Sequence, residues 1–264
     1  MSQNELMSCD LRASLSGYQS TRIPLFSARI RSAENVGTLV IYKLDRSTAT
    51  TVSATSMRAP KKAKKEYEKG LELLRKNKVD QASKELQNAL TLYPDYAEAW
   101  YGMGLVQQNS HDLDQARSSY NKALELDSHF ILPYIQLAGL AMQNSDWKTV
   151  VALTDRAMAL NPFNYPAIHF FNAVANFNLK NFEAAERSSK KANLLDSRES
   201  FPRNHLLLSR LLTQKGDYQG AAKELKVYLQ VQPKGNDLPE VKAELGRLED
   251  LMKSSPEQQQ QQQH

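Results

Sequence analysis

Five histidines and one cysteine are the side chains here best suited to metal binding or nucleophilic chemistry. None of them has company. His111, His129, His169, His205 and His264 are scattered, with no i,i+4 pair to hold a metal from one helix face. Cys9 has no histidine nearby in sequence to take its proton, and as the single cysteine it can form no disulfide within the chain. A Gly-rich phosphate loop, a Ser-x-x-Lys and a His-Glu-x-x-His are all missing. No segment is left over that is long enough to be a catalytic domain. The expectation is a protein that is not an enzyme and uses no cofactor and no metal.

Charge narrows the partners further. The 34 basic and 29 acidic residues leave a formal net charge of +5, too mild and too interspersed to argue for nucleic acid. The densest basic run, Lys61, Lys62, Lys64 and Lys65, reads as the solvated side of a helix start. No stretch approaches the ~20 apolar residues of a membrane helix, and residues 1–10 lack the basic-then-apolar form of a secretory signal.

The elements that must carry any function repeat. Between Lys61 and Asn236 one helix–turn–helix pattern is written five times, with a small residue at Ala82, Ala116, Val150, Ala185 and Ala221, spaced 34, 34, 35 and 36 residues apart. Gly70 and Gly104, then Ala138, Ala173 and Ser209, let the first helix of each unit lie against the second. Trp100, Tyr120 and Leu225 fill the gaps between layers. Pro94, Pro162 and Pro233 follow the second helices, which a proline cannot continue. Asn77, Gly216 and Asp217 mark turns. No unit can bury its apolar side alone, so neighbours must stack.

A period near 34 residues with these small residues resembles the tetratricopeptide repeat (TPR). The second unit, with Trp100, Met103, Gly104, Ala116, Tyr120 and Ala123, is similar to the W-x2-L-G…A-x3-F…A pattern, with Met for Leu and Tyr for Phe. The fourth unit, Ala173, Ala185, Ser189 and Ala192, is the weakest and has no closing proline. The resemblance implies a mainly α fold: a superhelix of about five helix–turn–helix repeats over 60–237. In it His169 and His205 fall where Trp100 and Tyr134 fall, so both read as packing residues. A capping helix follows over 238–253, with Val241, Leu245, Leu248 and Leu251 on one face, and then a Gln-rich tail over 254–264, expected to be disordered.

Residues 1–58 have a different period. Cys9, Leu11, Ala13 and Leu15 alternate with polar residues, and Thr21, Ile23 and Leu25 and then residues 37–44 follow as further strand-like runs. The expectation is a small partial β-sheet. LRASLSGYQS and VGTLVIYKL resemble the C-terminal half of a carboxypeptidase regulatory-like β-sandwich, which bacterial, notably acidobacterial, proteins join to a TPR array through a linker like the one at 50–70. The opening strands of that sandwich are absent, so this reading implies a truncated remnant, loosely ordered in the monomer. It leaves a periplasmic or cell-envelope setting open. The rival reading is an organellar transit peptide, which would make the array an accessory domain of an organelle-targeted protein. Glu5, Asp10, Glu34 and Asp45 count against it.

In TPR superhelices one face of the first helices lines an inner groove. The resemblance places Tyr67, Leu71, Tyr101, Leu105, Gln108, Ile135, Gly139, Met142, Phe170, Val174, Phe177, Leu206 and Arg210 there. The same resemblance excludes the chaperone-binding form of the fold, which holds a C-terminal carboxylate with Lys, Arg and Asn. The matching positions, Tyr67, Leu71, Gly102, Leu132 and Gln136, supply neither the charge nor the asparagine amides. The functional expectation is a scaffold that holds a protein or peptide in this apolar groove. The alternative is a structural homo-oligomerisation module.

Overall fold

The computed structural model describes residues 10–11, 18–20, 23–24, 41–43, 53, 55, 58–161, 165–196 and 199–254. The chain divides into two units, residues 1–50 and 51–264.

In the first unit, β1 (Asp10–Leu11) pairs antiparallel with β3 (Ile23–Pro24), and β2 (Tyr18–Ser20) with β4 (Ile41–Lys43). Among the described residues these are two two-stranded ladders rather than the single partial sheet that the alternating pattern predicts. The remainder of the expected strands, and the 255–264 part of the Gln-rich tail, lie outside the described residues.

The second unit is a helical array. Five pairs follow one another: α1 (Lys61–Arg75) with α2 (Val79–Leu92), α3 (Ala97–Asn109) with α4 (Leu113–Leu126), α5 (Ile131–Gln143) with α6 (Trp147–Leu160), α7 (Pro166–Asn178) with α8 (Phe182–Leu195), and α9 (Arg203–Gln214) with α10 (Tyr218–Val231). A last helix, α11 (Leu238–Ser254), closes the stack.

Each pair is folded over by the same turn. Asn77, His111, Ser145, Lys180 and Gly216 have φ of 56°, 62°, 54°, 63° and 81°, and each stands five positions before its unit's small residue. The next residue (Lys78, Asp112, Asp146, Asn181, Asp217) donates its N–H back to the carbonyl of Leu73, Gln107, Ala141, Asn176 or Leu212 at 2.8–3.0 Å. One left-handed residue thus satisfies the last carbonyls of the first helix and reverses the chain. Asp112, Asp146 and Asp217 then cap the second helix, accepting from the N–H of Gln115, Thr149 and Gly220.

Packing follows the small residues. Ala82, Ala116, Val150, Ala185 and Ala221 are all fully buried. A Cβ added at Gly70 would meet Leu86, and one added at Gly104 would run into the ring of Tyr120. The apolar core is accordingly a chain of clusters shared between neighbouring pairs, rather than a single centre. In the cap, Val241 and Leu248 are buried against Leu225 and Tyr228, with Leu245 and Met252 beside them. Leu251, placed on this face from sequence, is instead 45% exposed. The stripe runs 241, 245, 248, 252 at the 3.6-residue period, and 251 falls one position off it.

Candidate functional site

The first helices of the five pairs bury two sides and leave a third half covered. Gly102, Met103, Gly104 and Val106 of α3 are buried, while Tyr101, Leu105 and Gln108 are half-buried. The same spacing recurs as Tyr67, Leu71 and Leu74 on α1; Ile135, Gly139 and Met142 on α5; and Phe170, Val174 and Phe177 on α7. On α9 it is Leu206, Arg210 and Thr213, with Arg210 exposed. Residues at i, i+4 and i+7 lie on one helix face. The array therefore carries a stripe along α1, α3, α5, α7 and α9 that the core covers only in part.

The aromatic members of the stripe lean on rings beneath them. Tyr101 lies 5.8 Å from Tyr120 and 5.4 Å from Phe130, edge-on to the latter. Phe170 lies 5.1 Å from Phe201, and Phe177 is edge-on to Phe182 at 5.8 Å. Tyr67 lies 5.1 Å from Tyr96. Burial, and after it the charge of Glu98, drives the pKa of Tyr67 far above the usual tyrosine value, and burial likewise raises Tyr101. Both are neutral phenols at any physiological pH. Gln108 is tied down, its Oε1 accepting from the Tyr120 hydroxyl at 2.7 Å. These rings offer a preset apolar surface whose positions the core holds.

Beside Phe170 the stripe deepens into a cavity of about 500 Å³ lined by Phe201, Arg203, Tyr228, Lys234 and Asp237, among others. Asp237 is engaged by the Tyr228 hydroxyl at 2.8 Å, whereas Arg203 and Lys234 are exposed. The sequence reading missed Phe201 and Arg203. Arg203 was findable, since 203, 206 and 210 share a face at helical spacing. Phe201 lies in the α8–α9 connection, where no period applies.

Two histidines placed as packing residues are buried, His169 at 6% and His205 at 9% exposure. His205 does more than fill space. Trp100 Nε1 donates to the Pro94 carbonyl (2.8 Å), Tyr134 Oη donates to the Ser128 carbonyl (3.1 Å), and His205 Nε2 meets Glu199 Oε2 (3.3 Å). Each reaches back six residues and ties its helix to the preceding connection. Among the described residues no cluster of three or more His, Cys, Asp and Glu could hold a metal, and no helix is long and apolar enough to cross a membrane.

Family profiles for the TPR repeat and the tetratricopeptide repeat match residues 70–110 and 97–130. Over residues 70–130 the helices are thus similar to tetratricopeptide repeats. Among solved structures, Pseudomonas aeruginosa PilF superposes with a TM-score of 0.58 at 20% identity, over 76% of this chain and 96% of that one. MamA from Desulfovibrio magneticus gives 0.56 at 18%, over 67% and 99%. A TPR protein from Parabacteroides merdae gives 0.57 at 19%, over 72% and 75%. At these identities the likeness is one of fold. In sequence, a probable biofilm formation methyltransferase, WspC of Pseudomonas putida, is 35% identical over 78 residues. That match takes in 30% of this chain and 18% of the relative, so the chain spans under a fifth of that protein's length. TPR proteins generally mediate protein–protein interaction, and their scaffold is generally not catalytic. The carboxypeptidase regulatory-like resemblance of the first unit is not shown by these comparisons.

Proposed function

We propose that this TPR array is a non-catalytic scaffold that binds a peptide or an extended segment of a partner protein along the stripe on α1, α3, α5, α7 and α9. One observation carries the reading: the same three positions in every first helix are left uncovered by the core, half-buried except for the exposed Arg210, and aromatic or aliphatic in most of them. A contiguous, partly exposed apolar surface is what interaction sites show, and aromatic side chains and arginine concentrate binding energy. Tyr101, Leu105, Ile135, Met142, Phe170 and Phe177 supply the apolar floor. Arg210, with Arg203 beside the Phe170 cavity, favours a ligand with a carboxylate toward the α9 end. A peptide lying in a helix-lined groove is a recurring mode of recognition.

Panning a random peptide library against the full chain tests this reading. Peptides combining apolar and acidic residues should be enriched. Arg210→Glu and Phe170→Ala should each weaken their binding about tenfold or more, since a hot-spot truncation costs ~2 kcal/mol, with the helical circular dichroism unchanged. Enrichment of no peptide, or equal binding by both variants, overturns it. Homo-oligomerisation through the same stripe is the alternative, and light scattering on the full chain separates the two.

A further inference from the structure

The cavity beside Phe170 is built by three stretches of chain that the repeat brings side by side: α7, the connection from α8 into α9, and the end of α10 with the turn into α11. Phe170 and Phe201 stand 5.1 Å apart with their planes tilted 31°, and Tyr228, 2% exposed, is the third ring of the lining. Both connections are pinned. The Phe201 N–H donates to Asp196 Oδ2 at 2.8 Å, and the Phe201 carbonyl accepts from the Asn204 N–H at 2.9 Å. On the other connection the Tyr228 hydroxyl donates to the Asp237 carboxylate, 2.8 Å from each oxygen, and the Asp237 carbonyl accepts from the Val241 N–H at 3.0 Å. The chain itself fixes these walls, which spares a ligand the cost of ordering them.

The lining carries two cations against one anion. Arg203 and Lys234 are exposed, and neither joins an ion pair among the described residues. By contrast, Lys190 and Lys215 meet Glu186, and Lys226 meets Glu249. Asp237, the single carboxylate of the lining, is taken up by Tyr228. Arg203 acts on the same hydroxyl: burial first, and then Asp237, raises the Tyr228 pKa, and the Arg203 charge works against that rise. A floor of rings under a polar, positively charged rim is the anatomy of an interaction patch. The volume of about 500 Å³ falls in the ~300–1,000 Å³ range of sites that enclose a ligand group.

We propose that this cavity anchors an aromatic side chain of the bound partner segment, while an acidic residue beside it in that segment pairs with Arg203 and Lys234. Three features select this occupant. Rings gain from offset or edge contacts with other rings beyond the area that they bury, and Phe170, Phe201 and Tyr228 offer such contacts. A guanidinium and an ammonium at the rim take a carboxylate, the guanidinium through a bidentate contact. A segment with Lys or Arg beside its ring meets like charge and is rejected. Finally, Phe170 belongs both to the cavity and to the stripe, so a chain lying along α3, α5 and α7 turns one side chain in here without leaving its path. Only that path depends on the groove reading; the cavity and its charges stand without it.

Calorimetric titration of the full chain with short synthetic peptides tests the anchor. The probe has a Phe-Glu-Glu core in a Gly/Ser frame, and its controls replace that core by Ala-Glu-Glu, Phe-Gln-Gln or Phe-Lys-Lys. The Phe-Glu-Glu peptide should bind about tenfold or more tightly than each control, since a ring in a pocket and a carboxylate on arginine are both contacts that concentrate binding energy. Arg203→Gln combined with Lys234→Gln should remove its preference over Phe-Gln-Gln and leave the helical circular dichroism unchanged, because both side chains are exposed. Equal binding of Phe-Glu-Glu and Ala-Glu-Glu, an unchanged preference in the double variant, or no binding of Phe-Glu-Glu overturns the anchor. So does N-acetyl-phenylalanine binding as tightly as the peptide, which would make the cavity a site for small aromatic acids. Library peptides that depend on Arg210 but not on Arg203 and Lys234 refute the anchor and leave the groove. A library that enriches nothing while Phe-Glu-Glu binds refutes the groove and leaves the anchor.

Discussion

His205 sits between two carboxylates, with Nδ1 2.6 Å from Glu224 Oε2 and Nε2 3.3 Å from Glu199 Oε2. Burial pulls its pKa down, but the hydrogen bonds and charges of the two glutamates outweigh it, and the net shift is upward from 6.5. A raised folded-state pKa means the stabilisation is complete below the unfolded value and is lost as pH rises through the folded one. The chain should therefore unfold at a lower urea concentration at about pH 8 than at about pH 6, either side of the unperturbed histidine value. His205→Gln should flatten that dependence, and parallel pH profiles for the two proteins would contradict it. The histidine's position was legible in the sequence as that of a layer-filling residue, like Trp100 and Tyr134. Its polar partners were not. A repeat pattern reports the volume a position must fill and says nothing of which atom its nitrogen reaches.

Of the five left-handed residues that fold the pairs only Asn77 and Gly216 were read from sequence, whereas the small residues were read more completely, and Gly104 shows why. It lies directly over the ring of Tyr120, so an added methyl has no space. Gly104→Ala should destabilise the chain by about 1–3 kcal/mol, as overpacking does, whereas Gly246→Ala on α11, where nothing lies within 4 Å, should be neutral or slightly stabilising in a helix interior. Urea denaturation of both variants checks the contrast. The fourth repeat looked weak in sequence because polar residues stand where apolar ones are expected. The structure pairs them. Thr154 Oγ1 accepts from Asn172 Nδ2 at 2.8 Å, and the Ser189 hydroxyl donates to Asn204 Oδ1 at 2.9 Å, all four side chains being buried. Where a proline would close the unit, Asp196 instead accepts from the Phe201 N–H at 2.8 Å. Hydrogen bonds between neighbouring repeats here substitute for ring packing, and no apolar periodicity can announce them.

At the scale of the whole molecule, stability is shared among layers, and the proposed recognition surface lies on the same helices that form them. The stripe on α1, α3, α5, α7 and α9 was legible once the repeat was phased, because phase alone decides which residues of each first helix point the same way. The placement of Ser53 and Thr55 against the start of α3 was not, because they lie in a stretch without period. The central claim is that a partner lies along the first helices. Hydrogen exchange on the full chain, with and without a peptide selected from the library, tests it most directly. Added protection should map to α3, α5, α7 and α9, where Tyr101, Ile135, Phe170 and Arg210 stand, and leave α4, α6 and α8 unchanged. Protection confined to the second helices, or none at saturating peptide, would contradict the account.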